Sequence, residues 1–159
     1  MTIQVGDRLP EVPLSIATPD GPAPTTTGEY FKGKRVALFA VPGAYTPTCS
    51  ARHLPGFVDK AGDMKAKGVD EIACTSVNDA FVMGAWNKEQ GSEDIVMLAD
   101  GNGEFAEAVG LTMDGSKFGM GKRSQRYSMV VNDGVVEQLN VEAPGEFSAS
   151  SAETMLGQL

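Results

Sequence analysis

Apolar residues in this chain fall in two kinds of segment, continuous runs and helically spaced stripes, and the two alternate. Residues 35–40 carry Val36, Ala37, Leu38, Phe39 and Ala40 without a polar break, which predicts a strand buried on both faces. Over 48–67, Leu54, Phe57, Val58 and Ala61 recur at helical spacing, and Gly68 is a stop signal. Residues 71–77 form the next apolar run. Asn78 or Asp79 then caps a helix carrying Phe81, Val82, Ala85 and Trp86 on one stripe. A third continuous run occupies 95–99, and Phe105, Ala108 and Val109 follow at helical spacing before Gly110.

The two ends read differently. Within the first 30 residues, Pro10, Pro13, Pro19, Pro22 and Pro24 favour short edge strands or loops over a helix. The segment 113–122, with Gly115, Gly119 and Gly121, reads as a loop. Residues 127–131 and 135–139 flank Asn132-Asp133-Gly134, a hairpin signal. A closing helix is expected from about Ser148. Alternating strands and helices followed by a hairpin give a layered α/β fold whose central sheet is mixed. With no internal repeat and no composition break, residues 1–159 read as a single domain.

At 159 residues the chain can bury a full core without metal or disulfide, since about 68–70% of the unfolded surface is removed at this size. The net charge of −8 argues against nucleic acid or an anionic membrane as partner, because both require basic patches. Two cysteines are too few for a disulfide scaffold and fit a reducing compartment. The N-terminus has neither a basic start nor an apolar core of a signal peptide, and no stretch approaches about 20 apolar residues. A cytoplasmic location is the expectation.

The candidate chemistry lies between the first core strand and the following helix, in Val41-Pro42-Gly43-Ala44-Tyr45-Thr46-Pro47-Thr48-Cys49. Thr46 is placed to act as N-cap, and Pro47 suits the first helical position, where an N–H is not needed. Cys49 then falls in the first turn. There the unpaired N–H groups and the positive end of the helix dipole favour a thiolate, the reactive form.

Pro42, Thr46 and Cys49 fill the three fixed positions of Pro-x-x-x-Thr-x-x-Cys, the peroxiredoxin active-site pattern. The surrounding 39–50, together with Val77-Asn78-Asp79-Ala80-Phe81-Val82 and Arg126-Tyr127-Ser128-Met129-Val130-Val131, resembles the type II, peroxiredoxin-five-like subfamily from about Gly6 to Val141. The resemblance implies a thioredoxin-like fold and a thiol peroxidase acting on hydrogen peroxide and alkyl hydroperoxides. It also implies a homodimer packed near the active-site loops, to which Trp86 and Phe81 are possible contributors if they are not core, and no metal or organic cofactor. Cys49 would attack the peroxide O–O bond and become a sulfenic acid. Thr46 would supply a hydroxyl to thiolate and peroxide, Arg126 a cation with fixed donors, and Pro42 a shield and loop shape. Lys122 and Arg123 read as surface charge.

Two residues leave alternatives open. His53, the one histidine, sits at Cys49 + 4; it reads as a helix-surface or dimer-contact residue, with a Cys–His dyad for acyl transfer as the rival and a zinc site lacking two further ligands. Cys74 is an inert core thiol or a resolving cysteine for the Cys49 sulfenic acid. The C-terminal segment 145–151 has no cysteine where animal relatives carry theirs. The favoured cycle therefore uses Cys49 alone, with glutathione and glutaredoxin as reductant, or thioredoxin if Cys74 participates. Arg52 stands at the second position of a would-be C-x-x-C, which disfavours a dithiol reductase. A peroxide-sensing signalling protein using the same oxidation is the alternative function.

Overall fold

The computed structural model describes residues 2–159. Its centre is formed by the three predicted apolar runs: β3 (Arg35–Ala40), β4 (Glu71–Ser76) and β5 (Val96–Ala99) lie side by side and parallel. Two helices make the crossovers, α2 (Leu54–Ala66) and α3 (Ala80–Gln90). The predicted hairpin, β8 (Tyr127–Asn132) and β9 (Val135–Val141), pairs antiparallel to β3. Asp133 and Gly134 both have positive φ, 49° and 83°, as a two-residue primed turn requires.

The N-terminal segment adds β1 (Pro13–Thr18) and β2 (Gly21–Thr26), giving a seven-stranded mixed sheet in the order β2-β1-β5-β4-β3-β8-β9. This is the thioredoxin-like arrangement expected of the resemblance. β1 is not an edge strand, because it pairs with both β2 and β5, and its two-sided pairing leaves β2 to carry Pro22 and Pro24 at the rim. A helical turn, α1 (Thr27–Tyr30), follows, capped by Thr26 accepting from the Glu29 N–H. After α4 (Glu104–Val109), the glycine-rich segment is not all loop. It folds as a small hairpin of β6 (Thr112–Asp114) and β7 (Lys122–Ser124). The closing helix is α5 (Ala152–Gln158).

Alternation along the strands divides the core into two layers. Ala37, Phe39, Cys74, Met97 and Val130 face one way, onto Leu54, Phe57 and Met64 of α2, Met83 and Trp86 of α3, and Met155 of α5. Val36, Leu38, Ala40, Ala73, Leu98, Met129 and Val131 face the other, with Phe31, Phe105 and Val109. The stripe on α3 differs from the expected one. Ala80, Met83 and Trp86 are buried, whereas Phe81 is 71% exposed. Five residues on a helix turn through roughly 140° beyond one full circle, so Phe81 and Trp86 cannot share a face. Trp86 is fully buried and is therefore a core residue and not a surface contact.

Candidate active site

The chain leaves β3 at Ala40, and the Val41 N–H still bonds to the Thr75 carbonyl at 3.1 Å. The loop from Pro42 is then held from two sides. Asn78, just past β4, accepts from the Ala44 N–H at 3.0 Å and from Ser76 Oγ at 2.6 Å. Gly43 is closely approached: a Cβ there would meet Met120 Cε at 3.2 Å and Thr46 Cγ2 at 3.3 Å, so these side chains would have to give by a few tenths of an ångström. Arg123 ties the far wall by donating to the carbonyls of Val77 and Met120 at 3.1 and 2.8 Å, so it is a structural tether and not the surface charge expected of it. Lys122 is exposed and paired with Glu107, as expected of a surface residue.

The Thr46 carbonyl accepts the first helical bond, from the Ser50 N–H at 3.0 Å, which places Pro47 in the first helical position as predicted. Its hydroxyl does not cap the helix. It donates to the Gly43 carbonyl at 2.7 Å and so braces the loop. The first turns are also not a plain α-helix: Cys49–His53 is one π-turn, with the Leu54 N–H bonded to the Cys49 carbonyl. The cause lies in Pro55, which has no N–H for a regular bond and whose ring crowds the preceding turn; a widened turn ahead of it absorbs both. Ser50 inside this turn accepts from the Trp86 indole N–H at 2.9 Å, fastening it to α3.

Cys49 is fully buried at this junction. Arg126, immediately before β8, donates from Nη2 to the Cys49 sulfur at 3.0 Å. A fixed guanidinium at this distance donates to the sulfur and offers donors to an anionic oxygen beside it. Pro42 is half-buried in the loop ahead of the π-turn.

His53 overturns its sequence reading. It is fully buried, not on the surface, and cannot be a dimer contact. Phe39, Phe57 and Phe147 surround its ring at centroid distances of 4.9, 5.6 and 5.0 Å. Its Nδ1 lies 2.8 Å from Arg126 Nη1, and its Nε2 lies 2.9 Å from the Ser150 carbonyl. Burial first, and then the Arg126 charge, push its pKa down to about 3, so the ring is neutral. A base for Cys49 would need the sulfur at one of its nitrogens, and both are occupied elsewhere. This removes the Cys–His dyad and zinc-ligand readings of His53. Among the described residues, no group of three or more His, Cys, Asp or Glu side chains could hold a metal ion.

Cys74 is fully buried in β4, opposite Phe39 in the register with β3, and is not disulfide-bonded. Burial, and then the nearby Cys49, push its thiol well up, with Arg126 opposing.

The C-terminal segment supplies groups that no motif or local spacing places here. Glu142 accepts from the N–H groups of Ser148 and Ser150 and from Ser150 Oγ, each at 2.7 Å. Burial raises its pKa, but these donors outweigh it and hold the carboxyl below its ordinary range. Phe147 lies under two guanidinium groups, with Arg52 Cζ 4.7 Å and Arg126 Cζ 5.8 Å from its ring centroid. His53 and Ser150 are 97 positions apart, and the motif-bearing region ends near Val141, so no local spacing signals this contact.

The model of the Redoxin family matches residues 4–156. Peroxiredoxin-2E-2, chloroplastic, of Oryza sativa subsp. japonica is 54% identical over 164 residues, covering 99% of this chain and 73% of that protein. The hybrid peroxiredoxin hyPrx5 of Haemophilus influenzae is 45% identical over 162 residues, covering 100% of this chain and 67% of that protein. Among solved structures, reduced Prx3 in complex with H2O2 from Vibrio vulnificus superposes with a TM-score of 0.95 at 54% identity, covering 99% of both chains.

Proposed function

Because the chain belongs to the Redoxin family and is a peroxiredoxin, a thiol peroxidase, we propose that it reduces hydrogen peroxide and alkyl hydroperoxides by a one-cysteine cycle on Cys49. The observation that carries this reading is the 3.0 Å contact between Arg126 Nη2 and the Cys49 sulfur at a helix start. In the first step the thiolate attacks the distal peroxide oxygen. An S–O bond forms, the O–O bond breaks, and the sulfur loses two electrons. The departing oxygen takes a proton and leaves as water or an alcohol, while Cys49 becomes a sulfenic acid. Arg126 faces the charge that develops on the departing oxygen. The same reading gives the Thr46 hydroxyl, which donates to the Gly43 carbonyl and keeps a lone pair free, the role of accepting from the peroxide, and the Pro42 ring that of shielding.

An external thiol completes the cycle. Glutathione condenses with the sulfenic acid, releasing water and leaving a mixed disulfide. A second thiol, from glutathione or glutaredoxin, takes over the glutathionyl group and frees the Cys49 thiolate. The burial of Cys74 supports this reading over an internal disulfide: a buried thiol on a central strand, with its pKa raised, is a poor nucleophile. The same reading takes the protein as a homodimer, for which Tyr45, Phe81 and Phe118 offer exposed apolar surface.

The test is the intact mass of reduced protein after one equivalent of hydrogen peroxide, followed by glutathione. One added oxygen on Cys49, replaced by a glutathione adduct, is the expected result, and Cys49→Ser shows neither. Loss of two hydrogens, requiring both cysteines, would make Cys74 the resolving residue and a dithiol such as thioredoxin the reductant.

A further inference from the structure

A guanidinium is planar and rigid, so fixing one edge fixes the direction of the other. Arg126 presents Nη2 to Cys49 and Nη1 to His53 Nδ1. Arginine only donates, so Nδ1 must accept. The imidazole proton is then on Nε2, where it donates to the Ser150 carbonyl at 2.9 Å. Ser150 is itself fixed through its N–H and Oγ, both on Glu142. The Glu142 N–H returns to the Arg126 carbonyl at 3.0 Å, which closes a ring of contacts through Glu142, Ser150, His53 and Arg126.

We infer that His53 is a positioning residue for the peroxidase reaction: held by the Ser150 carbonyl as the neutral Nε2–H tautomer, it orients the Arg126 guanidinium on Cys49. The inference rests on the peroxidase reading of Cys49. The competing account treats His53 as packing, since three aromatic rings enclose it. Packing alone is satisfied by an apolar side chain, yet both ring nitrogens here make bonds, and an apolar substitute would leave Arg126 Nη1 and the Ser150 carbonyl without them. A protonated His53 would set one cation against another. Its charged surroundings are Arg126, which opposes protonation, and Glu142, which favours it more weakly.

The experiment compares wild type with His53→Leu, His53→Gln and Glu142→Ala. Two quantities are read on reduced protein: the rate of Cys49 oxidation by hydrogen peroxide in a single turnover, followed by Trp86 fluorescence, and the pH profile of Cys49 alkylation by iodoacetamide. His53→Leu is expected to oxidise about 10²-fold more slowly, the scale of a misplaced catalytic group, with its alkylation profile moved to higher pH. His53→Gln can accept from Arg126 through Oε1 and donate to Ser150 through Nε2, and is expected to recover most of the loss. Folded His53→Leu with wild-type rate and profile, or His53→Gln as impaired as His53→Leu, overturns the inference. Should circular dichroism show His53→Leu unfolded, Glu142→Ala decides. It releases Ser150 while leaving the Cys49, Arg126 and His53 side chains unaltered, and is expected to slow oxidation by about tenfold, the scale seen when an outer support is removed; an unchanged rate overturns the inference. Wild type that is not oxidised at Cys49 would instead sink the peroxidase reading, while the alkylation profiles still report whether His53 acts on Cys49.

Discussion

His53 and Cys49, one at each end of a single π-turn, are bridged by one guanidinium: Arg126 gives Nη2 to the sulfur at 3.0 Å and Nη1 to the imidazole at 2.8 Å. A lysine in place of Arg126 could reach one of these partners but not hold both in a plane. Arg126→Lys is therefore expected to keep a cation near Cys49 yet lose about 10²–10³-fold in the single-turnover rate with peroxide, the range for removing one preorganised donor. Stopped-flow oxidation of the reduced variant checks this, and a loss under threefold would remove Arg126 from the mechanism.

Cys74 gives the second prediction. Cys74→Ser puts a hydroxyl where a fully buried thiol stood, and is expected to cost about 1–3 kcal/mol in urea denaturation. Steady-state peroxide turnover with glutathione and glutaredoxin should stay within about threefold of wild type, under 1 kcal/mol of barrier. A stable variant whose turnover collapses would show that Cys74 takes part in the cycle.

Much of the frame was legible because it follows from periodicity. Residues 35–40, 71–77 and 95–99 became three central strands, and Asn132-Asp133-Gly134 became the turn of the hairpin. Cys49 and Arg126 are in contact and Pro47 opens the helix, whereas the Thr46 hydroxyl turns to the Gly43 carbonyl. Sequence distance alone does not say which face of a helix another segment covers. His53 at Cys49 + 4 reads as a surface neighbour until the C-terminal segment closes over it, and that segment is held by Glu142, remote in sequence and outside any motif. The π-turn was missed because a proline's effect on the turn before it depends on how the backbone relieves the clash. Phe81 and Trp86 are both apolar, but only the sheet decides which face of α3 is covered.

The π-turn has its own anchor, and breaking it should be felt in stability. Ser50 Oγ is the acceptor for the fully buried Trp86 indole N–H. Ser50→Ala leaves that donor without its partner, at a cost of about 1–3 kcal/mol. The expected result is a lower denaturation midpoint with a shifted Trp86 emission maximum. An unchanged midpoint would show that Trp86 packing alone holds the turn.

The neutral state of His53 also sets how stability depends on pH. Its pKa is near 6.5 in the unfolded chain and about 3 when folded, lowered by burial and by Arg126. Between those values the unfolded chain holds a proton that the native protein does not, so stability rises with pH. It is fully present above about 6.5 and is lost progressively as pH falls towards 3. The chain has no second histidine, and the buried Asp100 carboxyl, raised by burial, works in the opposite sense, so the His53 share is the difference between wild type and a variant that lacks the imidazole. Below pH 6.5 that difference should approach a slope of about 1.4 kcal/mol per pH unit, one proton's worth. Urea midpoints at several pH values in this interval measure it. His53→Gln cannot take up that proton in either state, and its curve should lack the His53 slope over the same range. An equal slope in both proteins would mean that His53 is charged in the native site, and with it the Nε2–H tautomer would be lost.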